Sequence, residues 1–116
     1  MQIQLEAHET HTIMGYSDTE IKINQQTYCD HLILSSDHLI TPWDIQGDFL
    51  KPLFELNPDV ILLGTHTPDI LRQAICKQPT HQSIGIECMT IGAACRTFNL
   101  LLSEQRHVVA GFILNR

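Results

Sequence analysis

The stretch that decides the fold is Gly85-Ile-Glu-Cys-Met-Thr-Ile-Gly-Ala-Ala-Cys-Arg-Thr-Phe-Asn-Leu-Leu-Leu-Ser-Glu-Gln-Arg106. The run from Ser83 to Met89 predicts a buried strand that contains a single carboxylate, Glu87. Thr90 or Ile91 then opens a helix, because apolar residues recur at the spacing i, i+3, i+4 and i+7. These apolar residues are Ile91, Ala94, Cys95, Phe98, Leu101 and Leu102. A strand followed by a covering helix is the unit from which α/β proteins are built.

The same alternation continues on both sides of this stretch. Val60 to Leu63 is a continuous apolar run, typical of a strand covered on both faces. Thr67-Pro68-Asp69 then begins a helix, with Thr as N-cap and Pro at the first helical position. We expect this helix to end before Pro79. Its predicted buried side consists of Ile70, Leu71, Ala74 and Ile75. The run from Val108 to Ile113 predicts a last buried strand.

The first half of the chain is predicted to be mostly β-structure. Ile3 and Leu5 alternate with polar residues, as in a half-buried strand, and Ile21 and Ile23 repeat the pattern. After a turn at residues 24–26, a return strand is predicted from Thr27 to Leu34. A short strand at 38–40 and a short helix at 49–56 follow. The element order predicts an α/β fold with a mixed sheet, in one domain spanning residues 1–116.

Composition excludes several classes of protein. The 116 residues carry seven Lys and Arg against thirteen Asp and Glu, a net charge of −6, which argues against a nucleic-acid partner. The longest apolar runs are far shorter than the ~20 residues of a membrane span. The first residues lack the basic and apolar regions of a secretory signal, so we expect a cytoplasmic protein. The four cysteines show no regular spacing and are expected to be reduced and mostly buried.

A combination of short motifs resembles one small family of α/β proteins. The motifs are Pro58-Asp59-Val60, Leu62-Leu63-Gly64-Thr65, Gly85-Ile86-Glu87, Met89, Ala93 to Asn99, and Glu104 to Arg106. The family consists of uncharacterised bacterial and archaeal proteins and includes the mitochondrial NADH dehydrogenase (complex I) assembly factor 3. The resemblance covers roughly Ile21 to Ile113. It departs from the family pattern at His66, where a Gly is usual, and at Thr90-Ile91, where Asp-Thr is usual.

The resemblance implies a fold and a kind of function. The fold is a three-layer arrangement with a central mixed sheet, about three helices and an additional N-terminal β-hairpin layer. For the mitochondrial member, the implied role is assembly of a respiratory complex through protein contacts. Together with the absence of a catalytic set of residues, this leads us to expect a non-catalytic protein-binding or assembly-factor-like protein without a cofactor, with an unknown protein partner and a homodimer as one form. The alternative is a small-molecule-binding protein or enzyme.

The alternative function requires a pocket, which the sequence places at two neighbouring features. The loop Gly64-Thr65-His66 follows a strand, where ligands of open α/β sheets bind. Glu87 lies within an apolar strand and needs a partner if it is buried. Its predicted partners on the next helix are Arg96 and Asn99, with Thr97 adding a hydroxyl. The structural alternatives are a tight connection at the loop, and a network joining strand to helix or a Glu87 that reaches solvent.

Other candidate residues are better explained by packing. Cys95 lies on the apolar stripe of its helix, which favours a core role over a nucleophile. His8 and His11 are spaced i, i+3, unlike the zinc-binding HExxH motif, so no metal site is predicted. Trp43 is either an anchor for a partner or a cap on the core.

Overall fold

The computed structural model describes residues 10–77 and 84–114 of the chain. The elements in these residues are β1 (Ile13–Tyr16), β2 (Ile21–Ile23), β3 (Gln26–Tyr28), β4 (Leu32–Leu34), β5 (Leu39–Ile40), α1 (Lys51–Phe54), β6 (Val60–Gly64), α2 (Pro68–Cys76), β7 (Gly85–Met89), α3 (Ile91–Ser103) and β8 (Val108–Phe112). The predicted strand at residues 2–6 and the predicted helix end before Pro79 lie outside the described residues.

The strands form two sheets. The smaller one has the order β1-β2-β3 and is antiparallel throughout. The larger one has the order β5-β4-β8-β6-β7. In it β6 runs parallel to both β7 and β8, while β4 runs antiparallel to β8 and β5. The predicted α/β class, with a mixed central sheet and a β-hairpin layer, is therefore confirmed.

The larger sheet separates two apolar cores, because β6 and β8 carry apolar side chains on both faces. One face packs against α3 and the smaller sheet, with Phe98 and Phe112 among the fully buried side chains. The other face packs against α1, Trp43 and α2. The three layers are thus α3 with the smaller sheet, the larger sheet, and α1 with α2. Trp43 belongs to the second core, and its indole Nε1 donates to the Phe49 carbonyl at 3.0 Å.

The predicted return strand is wrong in its extent. β3 ends at Tyr28, and β4 belongs to the other sheet, where it pairs with β8. Two hydrogen bonds to the His31 carbonyl stabilise the chain between β3 and β4. The Trp43 amide donates one at 2.9 Å, and the Thr41 hydroxyl donates the other at 3.1 Å. A chain that turns to make these bonds cannot continue along β2.

Two predictions of burial also need correction. In α2 only Leu71 is buried; Ile70 is 65% exposed and Ala74 is exposed. Helix α2 contacts the edge strand β7 of the larger sheet, so the sheet covers only a narrow stripe of the helix surface. All four cysteines are free thiols, but Cys29 and Cys76 are exposed, while Cys88 and Cys95 are buried.

None of the helices in the described ranges is long and apolar enough to cross a membrane. Over the same residues, no group of three His, Cys, Asp or Glu side chains is placed to hold a metal ion.

Candidate functional site

The smaller sheet is joined to helix α3 through the side chain of Asn99. The amide of Ile13 donates to Asn99 Oδ1 at 3.1 Å, and Asn99 Nδ2 donates to the Ile13 carbonyl at 2.9 Å. A neighbouring strand makes the same two bonds to a residue of an antiparallel ladder. Asn99 therefore caps the outer edge of β1 at Ile13, and its carboxamide is engaged in structure.

Arg96 lies one turn before Asn99 and also contacts β1. Its Nη1 donates to the hydroxyl oxygen of Tyr16 at 2.7 Å, and the pair lies at the surface. Gly92 makes this arrangement fit: a Cβ added there would lie 2.9 Å from Tyr16 Cε1 and 3.2 Å from Arg96 Nη1. The first turn of α3 thus leaves space for the tyrosine ring and the guanidinium.

Between β1 and α3 the surface opens into a cleft of about 80 Å³. It is lined by Ile13, Met14, Gly15, Tyr16, Cys95, Arg96 and Asn99. This volume is small beside the roughly 300–1,000 Å³ of typical small-molecule sites. A wider groove of about 340 Å³ continues past Asn99, with hydroxyl groups from Thr10, Thr12 and Ser103 along it.

Cys95 is the one thiol that lines the cleft among the described residues. The side chain is 1% exposed. Burial raises the pKa of the Cys95 thiol to about 12, against a small opposing effect of the positive charge on Arg96. The thiolate is the nucleophilic form of cysteine, so a thiol that keeps its proton at neutral pH is poorly suited to covalent catalysis.

The predicted loop site is bonded into the sheet. The Thr65 amide donates to the Met89 carbonyl at 3.0 Å, and the Gly64 carbonyl accepts from the Ile113 amide at 2.8 Å. Gly64 and Thr65 are buried, while His66 is exposed. The loop thus forms the tight connection that was the structural alternative, with only His66 presented to solvent.

Of the interpretations left open for Glu87, the structure shows the one in which the side chain reaches solvent, and not a contact with the helix. Glu87 is exposed on the edge strand β7, and no hydrogen bond or ion pair within residues 10–77 and 84–114 joins it to Arg96 or Asn99. Thr97 is half-buried and lies 100° around α3 from Arg96. Of the seven predicted pocket residues, the structure therefore brings together Arg96 and Asn99, and their partners are on β1.

Sequence reasoning missed the β1 side of this site. Ile13, Met14 and Tyr16 form the strand that faces α3, and none of them was a candidate. The sequence did contain a signal for this strand. The apolar residues Ile13 and Met14 precede the predicted strand at Ile21 and Ile23 at a distance that fits the two strands of a β-hairpin. Two hydrogen-bonded pairs determine which helix the hairpin contacts: Tyr16 with Arg96, 80 residues apart, and Ile13 with Asn99, 86 residues apart. Local sequence patterns do not reveal contacts at such separations.

Comparison with known proteins agrees with this fold. The profile of a family described as "Protein of unknown function (DUF498/DUF598)" matches residues 13–113. A protein of Francisella tularensis subsp. holarctica named "13 kDa major membrane protein" is 30% identical over 94 residues, which are 74% of this chain and 76% of that protein.

Solved structures are similar over nearly the whole chain. An NMR structure of a Xanthomonas campestris protein is 30% identical, with a TM-score of 0.70 over 93% of this chain and 87% of that one. A crystal structure described as an outer membrane protein from Bartonella henselae is 26% identical, with a TM-score of 0.63 over 92% of this chain and 97% of the other.

Proposed function

Because the chain belongs to the family of proteins of unknown function DUF498/DUF598, we propose a function from its surface: a non-catalytic protein-binding or assembly-factor-like protein. Partner binding takes place on the surface formed by Met14, Tyr16, Arg96 and Leu100, which we name the β1–α3 surface. The sequence resemblance to a family that includes a respiratory-complex assembly factor supports the same kind of role.

Three exposed apolar side chains carry this proposal: Met14 and Tyr16 line the cleft, and Leu100 lies outside it on α3. Met14 is 63% exposed and Tyr16 is 46% exposed, both on β1. Leu100 is 56% exposed and lies one helical turn beyond Arg96. Exposed apolar groups gathered at one place mark interaction sites, and Met, Tyr and Arg are enriched in protein interfaces.

The chemistry of the cleft supports binding over catalysis. The described residues that line it carry no carboxylate and no imidazole, the groups that most often act as general acids and bases. The buried thiol of Cys95 is protonated at neutral pH, and the amide of Asn99 is engaged with Ile13. The cleft therefore offers shape, apolar surface and one guanidinium.

Affinity purification with the tagged full chain tests the proposal. Wild-type protein should retain a partner that the Leu100→Ser variant loses, since the variant removes an exposed apolar group from the β1–α3 surface. Ile70→Ser is the matched control, because Ile70 is 65% exposed on α2, on the opposite side of the larger sheet. A partner lost equally with both variants, or with neither, would contradict the assignment of this surface.

Self-association and compartment belong to the same proposal. Light scattering of the wild type and of Leu100→Ser tests whether the chain forms a homodimer through this surface. The variant should convert such a dimer to monomers.

We propose a cytoplasmic location. The names of the Francisella and Bartonella relatives refer to membranes, so cell fractionation is the test, and recovery of the chain in the membrane fraction would contradict the proposal.

A further inference from the structure

We propose that Arg96 and Tyr16 form a receptor for a carboxylate, and that the partner presents an acidic side chain flanked by apolar residues. The acidic group binds the pair, while its apolar neighbours cover Met14 and Leu100. This inference rests on the proposed function, because it specifies the chemistry of the partner on the β1–α3 surface.

The hydrogen-bond geometry of the pair favours an acceptor-only ligand. Tyr16 Oη accepts from Arg96 Nη1, so the hydroxyl hydrogen of Tyr16 is directed away from the guanidinium. The other N–H groups of Arg96 make no hydrogen bond to any residue of the described ranges. The pair thus offers donors from two side chains at one place, and an ionised carboxylate accepts through two oxygens.

The charge of the surroundings points to the same ligand. The chain has an excess of acidic residues, thirteen against seven basic ones, yet Arg96 has no ion-pair partner within residues 10–77 and 84–114. Arg72 shows the contrasting arrangement: it pairs with Asp69 and donates to the Cys88 carbonyl at 2.8 Å. Other basic residues of the described ranges also lack an ion pair, and Arg96 differs from them because it lines the cleft beside the Tyr16 hydroxyl.

The neighbouring residues fix the position of the pair and the mode of recognition. Gly92 keeps the helix surface open beneath the tyrosine ring and the guanidinium. Asn99 occupies the backbone amide and carbonyl of Ile13, so a partner cannot extend the sheet as an added strand at this residue. Recognition there must come from side chains, which gives Arg96 and Tyr16 a direct role.

Selection from a phage-displayed library of random linear peptides, with the full chain as bait, provides the probe. Enriched peptides should contain Asp or Glu beside apolar residues. Their affinities are then measured by fluorescence anisotropy for wild type, Arg96→Gln, Tyr16→Phe and Leu100→Ser, with Ile70→Ser as control. We expect Kd to rise about tenfold for Arg96→Gln, as for loss of a charge-assisted pair, and less for Tyr16→Phe.

A double-mutant cycle identifies the carboxylate. Replacing the acidic residue of the peptide by its amide should weaken binding to wild type and have little further effect on Arg96→Gln, because the two changes remove the same contact. Arg96 is exposed, so its variant should fold, which circular dichroism verifies. Independent effects of the two changes would overturn the proposal.

The remaining outcomes separate this inference from the proposed function. Peptides that lose affinity with Leu100→Ser but bind Arg96→Gln as tightly as wild type would overturn the carboxylate receptor and leave the binding surface standing. Failure to enrich peptides, or binding unaffected by Leu100→Ser, would overturn both. Sedimentation with phosphatidylglycerol vesicles that Arg96→Gln abolishes would assign Arg96 to lipid phosphate instead, against the inference.

Discussion

A single carboxamide joins the outer edge of β1 to helix α3. Asn99 satisfies both the amide and the carbonyl of Ile13, and no aliphatic or hydroxyl side chain offers a donor and an acceptor at that spacing. The residue is therefore specific for its place beside β1. The sequence identified Asn99 as a polar residue on an apolar helix and offered it, with Arg96, as an available partner of Glu87, not of β1.

Replacing Asn99 by Ala should lower the free energy of unfolding by about 1–3 kcal/mol, because two backbone groups of Ile13 lose their partners. Urea denaturation measures the change. Ser103→Ala is the control on the same helix, since its hydroxyl bonds only to the nearby Leu100 carbonyl. Equal losses for the two variants would show that the amide has no special role.

At the scale of elements, the alternation of strands and helices after residue 50 could be predicted almost completely. β6, α3 and β8 were visible because long apolar runs and a 3.6-residue period are local signals. The burial of α2 could not be predicted, because Ile70 is covered only if the helix lies over several strands, and it lies over the edge strand. The end of β3 depends on His31 and Trp43, twelve residues apart, so local pattern could not place it either.

The close approach of α3 to the sheet depends on Gly64 in β6. A Cβ there would lie 2.9 Å from Ala94 Cβ and 2.9 Å from Phe112 Cδ1. Gly64→Ala should therefore destabilise the protein by about 1–3 kcal/mol through overpacking. Thermal or urea unfolding measures this.

Gly85→Ala is the matched control for that prediction. Gly85 lies in the adjacent parallel strand, and a Cβ added there meets nothing within 4 Å. Its effect should stay within about 0.5 kcal/mol, as for an uncrowded surface position. A loss as large as that of Gly64→Ala would show that backbone effects, and not the approach of α3, set the cost.

At the scale of the whole molecule, the buried thiol of Cys95 links stability to alkaline pH. Burial raises the pKa of Cys95 from an ordinary value near 9 to about 12, so the folded chain holds this proton more tightly than the unfolded chain. Below pH 9 the thiol is protonated in both states. As pH rises through this window, unfolding releases the proton, and the free energy of unfolding falls.

We expect Cys95→Ala to make this alkaline loss of stability shallower. Denaturant titrations at a series of pH values up to 11 measure the slope. Cys29→Ala serves as the matched control, since it removes an exposed thiol. A Cys95→Ala slope identical to wild type would mean that other groups govern alkaline unfolding.

The position of β8 in the sheet has a consequence for biosynthesis. β8 lies between β4 and β6, so in the described residues the antiparallel and parallel halves of the larger sheet meet through a strand that is synthesised after the other four strands of that sheet. A nascent chain that has left the ribosome as far as α3 holds apolar strands whose neighbour is still in the tunnel. Such strands are exposed to misassociation and are natural clients of chaperones. Pairing of β4 and β6 with their common neighbour is thus delayed until β8 has left the ribosome.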